Sequence, residues 1–223
     1  MFGRIGNLKI IKMESYSQCG QDLFVASLLK GGDKKFLDLG CYLPKKINNT
    51  YLLELNGWDG VSVDIIDYSE EWKNRKTPFL QQDCFNIDFN SFLPEHYPNK
   101  IIDYLSLDME KVGDRYKLLE KVLLTDYEFK IITIEHDSYL GRQYVENEKE
   151  PQREMLKRHG YTLLCSDVAH WQSPEFFYED WWVNKKYFNE DEITPWFSDR
   201  MSCNSIFHKV GVEYNINEIS KNW

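Results

Sequence analysis

Short apolar runs, each the length of a β-strand, recur along the chain and are separated by stretches with the apolar spacing of amphipathic helices. This alternation predicts an α/β fold with a mainly parallel seven-stranded sheet and helices on both faces. A turn with Ser173 and Pro174 separates the last two runs, so we expect a hairpin and one antiparallel strand there. The predicted strands are Phe36–Leu39, Val61–Ile65, Phe79–Gln82, Ile101–Leu107, Lys130–Glu135, Tyr161–Cys165 and Phe176–Val183.

Polar residues mark the expected ends of the helices. Ser15 and Gln18 have the spacing of a capping box ahead of an apolar segment that Gly31 and Gly32 would stop. Asn48 or Asn49 is the expected cap of the next helix. Further helices are predicted from Ser69, along the apolar face Leu118–Leu123, and over Pro151–Gly160.

One domain is expected from 223 residues of which 42% are apolar. We predict a helical lead-in over residues 1–35, a core over 36–183 and an extension over 184–223, where periodicity fades into a cap or an edge addition. The sequence leaves open whether the chain is one module of a larger protein.

Charge and composition exclude some classes of partner. A net charge of −9 without any lysine or arginine run offers no surface for a phosphate backbone, so nucleic acid is not an expected partner. The longest apolar stretches, such as Ile131–Ile134, are far shorter than the roughly 20 residues that span a bilayer, and no signal-peptide pattern is present. We therefore expect a cytoplasmic protein, and five widely spaced cysteines without a C-x-x-C pair are expected to be reduced thiols.

Acids stand at the ends of three successive predicted strands. Asp38 precedes Gly40 after the first strand, where an acid can hold an ammonium group or order the loop and a glycine lets backbone approach a ligand. Asp64 ends the second strand about 25 residues further on, the usual place of an acid that binds a ribose diol. Asp83 follows the third strand, where a carboxylate can accept a hydrogen bond from an adenine amine. Together they predict a site for a nucleoside with a free diol.

The loop after the first strand has a single glycine, Gly40, and continues as Pro44-Lys45-Lys46. A dinucleotide normally needs G-x-G-x-x-G to seat its pyrophosphate. The sequence therefore disfavours a nicotinamide-dependent dehydrogenase and favours S-adenosylmethionine, which has no pyrophosphate.

The fourth and fifth predicted strands also end in ionisable residues. Asp108, Glu135 and His136 could converge, because adjacent strand ends lie about 5 Å apart, and they form a donor set suited to magnesium or manganese. Since an alcohol needs a base or a metal to react near neutral pH, Asp108, Lys111, His136 and Asp137 are the candidate catalytic residues. The spacing is also similar to that of metal-dependent catechol O-methyltransferases. The acids could equally bond to loop amides, with His136 a solvated turn residue.

Six blocks of sequence, in order along the chain, resemble FkbM-type methyltransferases. This resemblance implies the class I Rossmann-like fold, S-adenosylmethionine as the methyl donor, and O-methylation of a sugar or a secondary-metabolite hydroxyl. Cys41-Tyr42 departs from the D-x-G-A-N that is frequent in the family. The blocks are Tyr16–Asp22, Phe36–Gly40, Gly57–Trp58, Ser106–Glu110, Ile134–Glu135 and Glu179–Val183. Matching positions give the expected cofactor contacts Asp38, Gly40, Cys41, Asp64, Asp83 and Cys84, with Gln18 either beside the methionine carboxylate or a helix cap.

Tryptophans are concentrated in the last third of the chain, at Trp171, Trp181, Trp182 and Trp196. Such rings could stack on a pyranose or could pack in the core. The prediction from sequence is methyl transfer to a hydroxyl of a glycan, a nucleotide sugar or a related metabolite, assisted by a divalent cation. The alternatives are a small-molecule methyltransferase with a non-sugar acceptor and a noncatalytic nucleoside-binding module.

Overall fold

The computed structural model describes residues 14–109, 115–169 and 173–211. These residues form an eight-stranded sheet in the order β3-β2-β1-β4-β5-β7-β6-β8, in which all seven predicted strands are present. Only β7 among them runs antiparallel to its neighbours, as the hairpin predicted. The strands are β1 Lys35–Leu39, β2 Asp59–Asp64, β3 Phe79–Gln81, β4 Ile101–Leu107, β5 Glu128–Glu135, β6 Tyr161–Ala169, β7 Phe177–Asn184 and β8 Ser198–Asp199.

Helices cover both faces of the sheet, as predicted for the α/β class. One apolar layer contains Phe24, Phe36 and Trp181, and the other contains Leu118 and Trp182. The neighbours Trp181 and Trp182 lie in different layers because successive side chains of a strand point to opposite faces. The described helices are α1 Gln21–Leu28, α2 Tyr51–Leu55, α3 Ser69–Trp72, α4 Phe89–His96, α5 Arg115–Leu123, α6 Arg142–Tyr144, α7 Glu150–Arg158, α8 Glu190–Ile193 and α9 Cys203–Lys209.

The segment before α1 differs from its prediction. Ser15 and Gln18 do not cap a helix, because α1 begins at Gln21 after Gly20, which has a left-handed conformation with φ 84°. The Ser15 hydroxyl instead donates to Asp22 Oδ1 at 2.7 Å. Asp22 also accepts from the Tyr16 amide at 2.8 Å, so this carboxylate in the first turn of α1 holds the preceding turn in place.

The predicted asparagine cap is met in part, because Thr50 stands at the N-cap of α2 and Asn48 lies two positions before it. Asn48 Oδ1 accepts from the amides of Thr50 and Tyr51 at 3.0 and 2.8 Å, which satisfies two free donors at the start of α2. Asn49 has a different role, since its Nδ2 donates to Ser106 on β4 at 3.0 Å.

The expectation of five reduced cysteines is wrong for two of them. Cys19 and Cys203 form a buried disulfide with a Cα–Cα distance of 4.8 Å, which ties the turn before α1 to α9. Cysteine spacing did not indicate this pairing, because 184 positions separate the partners. Cys41, Cys84 and Cys165 are free and buried.

Within the predicted extension, β8 pairs with β6 at the edge of the sheet and α9 contacts α1. Among the described residues, no helix is long and apolar enough to cross a membrane.

Candidate functional site

A cavity of about 630 Å³ opens at the carboxyl ends of β1 to β4. It lies where ligands bind in open α/β sheets, outside the ends of the parallel strands. Six residues from the sequence-based prediction line it: Gln18, Gly40, Asp64, Asp83, Cys84 and Asp108. Eight further residues complete the wall: Tyr42, Lys46, Ile47, Ile65, Ile66, Tyr68, Phe85 and Met109.

Two carboxylates are fixed at the ends of successive strands on this wall. Asp64 accepts from the Tyr42 amide through Oδ2 and from the Ile66 amide through Oδ1, each at 2.9 Å. Asp83 Oδ1 accepts from the Phe85 amide at 2.9 Å. A carboxylate oxygen can accept more than one hydrogen bond, so both acids keep acceptor capacity for a ligand.

Apolar side chains stand beside these acids. Ile65 and Ile66 are 64% and 51% exposed, although large aliphatic residues are usually buried. Carboxylates next to exposed aliphatic surface suit a ligand with a hydroxylated part and a flat apolar part, as a nucleoside has.

Gly40 lines the cavity, but backbone packing is what requires a glycine there. Its φ is 85°, and a Cβ would lie 1.7 Å from the carbonyl oxygen of Asp108. The Asp108 amide also donates to Leu39 O at 3.0 Å. Any side chain at this position would push apart the loops that follow β1 and β4.

Asp38 and Cys41 are buried behind the wall and do not line the cavity. Asp38 accepts from Thr50 Oγ1 at 3.0 Å and bonds to the Ser106 side chain. Burial raises the pKa of Asp38 to about 6. This carboxyl orders the loop, the second of the two roles expected for it. Burial also raises the pKa of the Cys41 thiol.

A buried ion cluster lies beyond Asp108, at the end of β5. Arg115 Nη2 lies 2.7 Å from Glu135 Oε2 and 2.7 Å from Asp137 Oδ2. Burial raises the pKa of both Glu135 and Asp108, and a hydrogen bond joins the two carboxyl groups. The charge of Asp108 raises the pKa of Glu135 further, whereas the hydrogen bond from Glu135 lowers that of Asp108. Arg115 was not among the residues predicted for the site. Its one available signal was a cation in the first turn of α5, where the helix dipole disfavours positive charge.

The predicted metal set of Asp108, Glu135 and His136 is not assembled. Successive strand residues point to opposite faces, so His136 turns away from Glu135 and is fully buried. Its Nε2 lies 3.5 Å from Asp180 and 3.7 Å from Asp167, and this trio is the group of possible metal ligands that the described residues bring together.

Cations already balance the acids of that second trio. Lys149 pairs with Asp167, and Arg153 Nε lies 2.6 Å from Asp180 Oδ2. Burial raises the pKa of Asp180, but the bonds from Arg153 and His136 outweigh burial and hold it below its usual value. His136 is thus buried among these acids and does not line the cavity, where the predicted base would have to lie. Lys111 lies outside the described residues.

Three of the tryptophans considered for sugar stacking belong to the core. Trp181 and Trp182 are fully buried and Trp196 is nearly so, which confirms the packing alternative. Trp171 lies outside the described residues.

Glu179 is a further buried carboxyl that was not among the sequence-based candidates for the site. It pairs in register with Glu135 across β5 and β7, and burial raises its pKa to about 8. The available signal was a glutamate inside a strand of buried residues.

No protein-family model matches the sequence, and the comparison with curated proteins gave no match. Among solved structures, a candidate rRNA-methylase from Clostridium thermocellum is 14% identical with a TM-score of 0.50, over 76% of this chain and 98% of its own. An S-adenosylmethionine-dependent methyltransferase from Archaeoglobus fulgidus is 18% identical over 64% of this chain and 69% of its own, with a TM-score of 0.39. The plantazolicin methyltransferase BpumL, solved with S-adenosylhomocysteine, is 15% identical over 74% and 82%, with a TM-score of 0.45. The likeness to the first of these structures shows that the chain shares its Rossmann-like α/β fold.

Proposed function

We propose that this protein is an S-adenosylmethionine-dependent O-methyltransferase that acts on a hydroxyl of a sugar, a glycan or a related metabolite. The observation that carries the proposal is the cavity wall, on which Asp64 and Asp83 stand fixed at successive strand ends beside Ile65 and Ile66. The resemblance of the sequence blocks to FkbM-type enzymes supports the hydroxyl acceptor.

The charges on the wall favour this cofactor over a dinucleotide. Asp64, Asp83 and Asp108 are opposed by one lysine, Lys46. S-adenosylmethionine carries a positive sulfonium and an ammonium group, whereas a pyrophosphate is anionic and would be repelled. Asp64 would bind the ribose hydroxyls and Asp83 the adenine amine. The bound cofactor supplies an electrophilic methyl group.

Asp108 is the proposed general base that takes the proton from the hydroxyl to be methylated, because it lies on the cavity wall and bonds to the ion cluster. Its hydrogen bond with Glu135, which itself pairs with Arg115, holds it in place. Arg115 also brings the positive charge that a metal would otherwise bring, so the described residues do not fit a metal-assisted reaction. Turnover in excess EDTA should equal turnover without it, and loss of turnover would refute this part of the proposal.

A nucleic-acid acceptor is disfavoured, although one structural neighbour is described as a candidate rRNA-methylase. A net charge of −9 gives this chain no electrostatic attraction for a polyanion.

Calorimetry and mass spectrometry test the proposal together. S-adenosylhomocysteine should bind and NAD should not. With donor labelled in its methyl group, a mixture of glycans and small hydroxylated metabolites should gain one methyl group on oxygen. Tighter binding of NAD would refute the cofactor assignment. Cofactor binding with labelled product only on non-sugar compounds would support the non-sugar alternative, and binding without any transfer would support a noncatalytic nucleoside-binding module.

A further inference from the structure

Two exposed aromatic rings stack at the same edge of the sheet as the cavity. Tyr139 follows β5 and Phe176 precedes β7, and the antiparallel pairing of these strands brings the two positions to one edge. Their ring centroids are 4.8 Å apart with an interplanar angle of 17°. The residues remain 40% and 41% exposed. We call Tyr139 and Phe176 the aromatic platform.

Hydrogen bonds between the end of β5 and the start of β7 hold the platform in place. The amide of Asp137 donates to Tyr178 O at 2.9 Å, and the Ser138 hydroxyl donates to Phe177 O at 3.1 Å. Asp137 adopts a left-handed conformation with φ 48°, which turns the chain so that Tyr139 faces Phe176. A surface fixed in this way loses little conformational entropy when a ligand binds.

The platform adjoins the ion cluster that reaches the cavity. Asp137, two positions before Tyr139, shares Arg115 with Glu135, and Glu135 bonds to Asp108 on the cavity wall. Burial and the charges of Asp137 and Glu135 raise the pKa of Tyr139, which places its phenol within electrostatic reach of these acids. A flat apolar face thus lies beside a row of hydrogen-bonding groups that leads to the methyl-donor cavity.

We propose that the aromatic platform binds the apolar C–H face of the sugar ring of the acceptor and directs the hydroxyl groups of that ring toward Asp137 and Asp108. This inference rests on the proposed function and adds the residues that select the acceptor. A neutral pyranoside fits the surface because it combines an apolar face with a hydroxyl rim, whereas an anionic ligand would meet the net negative charge of the chain. The tryptophans that could have stacked on a sugar are buried wherever the structure describes them.

Saturation-transfer NMR on the whole chain, with S-adenosylhomocysteine present, tests the platform without knowledge of the natural acceptor. The probes are the methyl pyranosides of glucose, galactose and mannose, with sorbitol as an open-chain control. Protons on one face of at least one pyranoside should receive saturation, and sorbitol should receive none. Phe176→Ala and Tyr139→Ala should each weaken the binding of that pyranoside about two- to tenfold.

Two further variants separate ring stacking from other effects. Tyr139→Phe keeps the ring and should bind the pyranoside as the wild type does. Phe197→Ala removes a ring that is 47% exposed beside β8, next to Lys185 and outside the platform, and should change nothing. The wild-type measurement does not depend on the folding of any variant.

The outcomes distinguish the platform from the proposed function. If S-adenosylhomocysteine binds but no pyranoside receives saturation, or if the double variant Tyr139→Ala/Phe176→Ala binds pyranoside as tightly as the wild type, the platform proposal is overturned. If S-adenosylhomocysteine fails to bind while pyranosides still contact the rings, the cofactor assignment fails and the platform stands as a sugar site.

Discussion

The two halves of the site differ in how well the sequence predicted them. In the proposed donor half, at the ends of β1 to β3, the predicted contacts Asp64, Asp83 and Cys84 line the cavity, whereas Asp38 and Cys41 are buried behind its wall. In the proposed acceptor half, at the end of β5 and the start of β7, His136 is buried away from the cavity, and Arg115, which was not predicted, pairs with Glu135.

The difference teaches where strand-end reasoning is dependable. A residue in the loop after a parallel strand is confined to the ligand-binding edge, so its identity is enough to place it near the site. A residue where a strand ends can face either side of the sheet, and its partners come from distant parts of the chain. The acceptor half depends on such residues, and four predictions test this contrast, from the largest expected effect to the smallest.

Arg115→Met should lower the free energy of unfolding by about 3–5 kcal/mol, because it leaves the buried acids Glu135 and Asp137 without their cation. Urea denaturation measures the loss. Arg142→Met is the matched control, since Arg142 is 88% exposed in its pair with Glu146 and should change stability by about 0.5 kcal/mol or less. Equal stability of the two variants would show that the ion cluster does not hold the acceptor half.

The disulfide should stabilise the turn that carries Gln18, on the donor side. Replacing Cys19 and Cys203 together by alanine should cost about 2–5 kcal/mol, since the bond closes a very long loop. Dithiothreitol should lower the melting temperature of the wild type and leave that of the double variant unchanged. Cys165→Ala, at a free buried cysteine, is the control and should remain sensitive to the reductant. The prediction would be contradicted if the melting temperature of the wild type stayed the same after unfolding and refolding in the reductant.

Asp64→Ala should weaken binding of S-adenosylhomocysteine by about 1.5–3 kcal/mol, roughly ten- to a hundredfold, because a charge-assisted hydrogen bond to the ribose is lost. Calorimetry measures the dissociation constant. Asp67→Ala removes the same charge three positions later, outside the cavity wall, and should leave the constant unchanged. If both variants bind equally well, Asp64 has no role in the donor half.

Two buried carboxyls, Asp38 in β1 and Glu179 in β7, should make the free energy of unfolding depend on pH over different ranges. Folded Glu179 keeps its proton up to a pKa of about 8, whereas an unfolded glutamate loses it near about pH 4.3. Between these two pH values the folded state binds more protons than the unfolded state, so the free energy of unfolding falls as pH rises. Asp38 should contribute a similar fall that ends near its pKa of about 6.

Glu179→Gln should therefore remove part of the loss of stability between about pH 5 and 8, on the order of 1–3 kcal/mol, as measured by urea denaturation at several pH values. Asp38→Asn, the matched variant, should flatten the curve only below about pH 6. An identical slope in the wild type and Glu179→Gln would mean that this carboxyl is ionised in the folded state.

The pattern of apolar and polar positions was enough for the sheet, because each strand is a local run whose burial its own residues decide. Ile101–Leu107 was predicted with the bounds that the structure has for β4, and the hairpin turn predicted the one antiparallel strand among those described. The sequence also placed Asp64, Asp83 and Cys84 at the cavity, because loop residues after parallel strands lie at that edge of the sheet, but it did not show that Cys41 is buried behind the wall.

Only the tertiary structure decided which side chains meet across elements. The pairing of Arg115 with Glu135, the disulfide between Cys19 and Cys203, and the burial of His136 depend on how distant segments pack. The direction of a side chain depends on the register of its strand, because a shift by one residue moves every side chain of that strand to the opposite face of the sheet. Composition and spacing along the chain do not contain that information, which is why the acceptor side became visible only in the folded molecule.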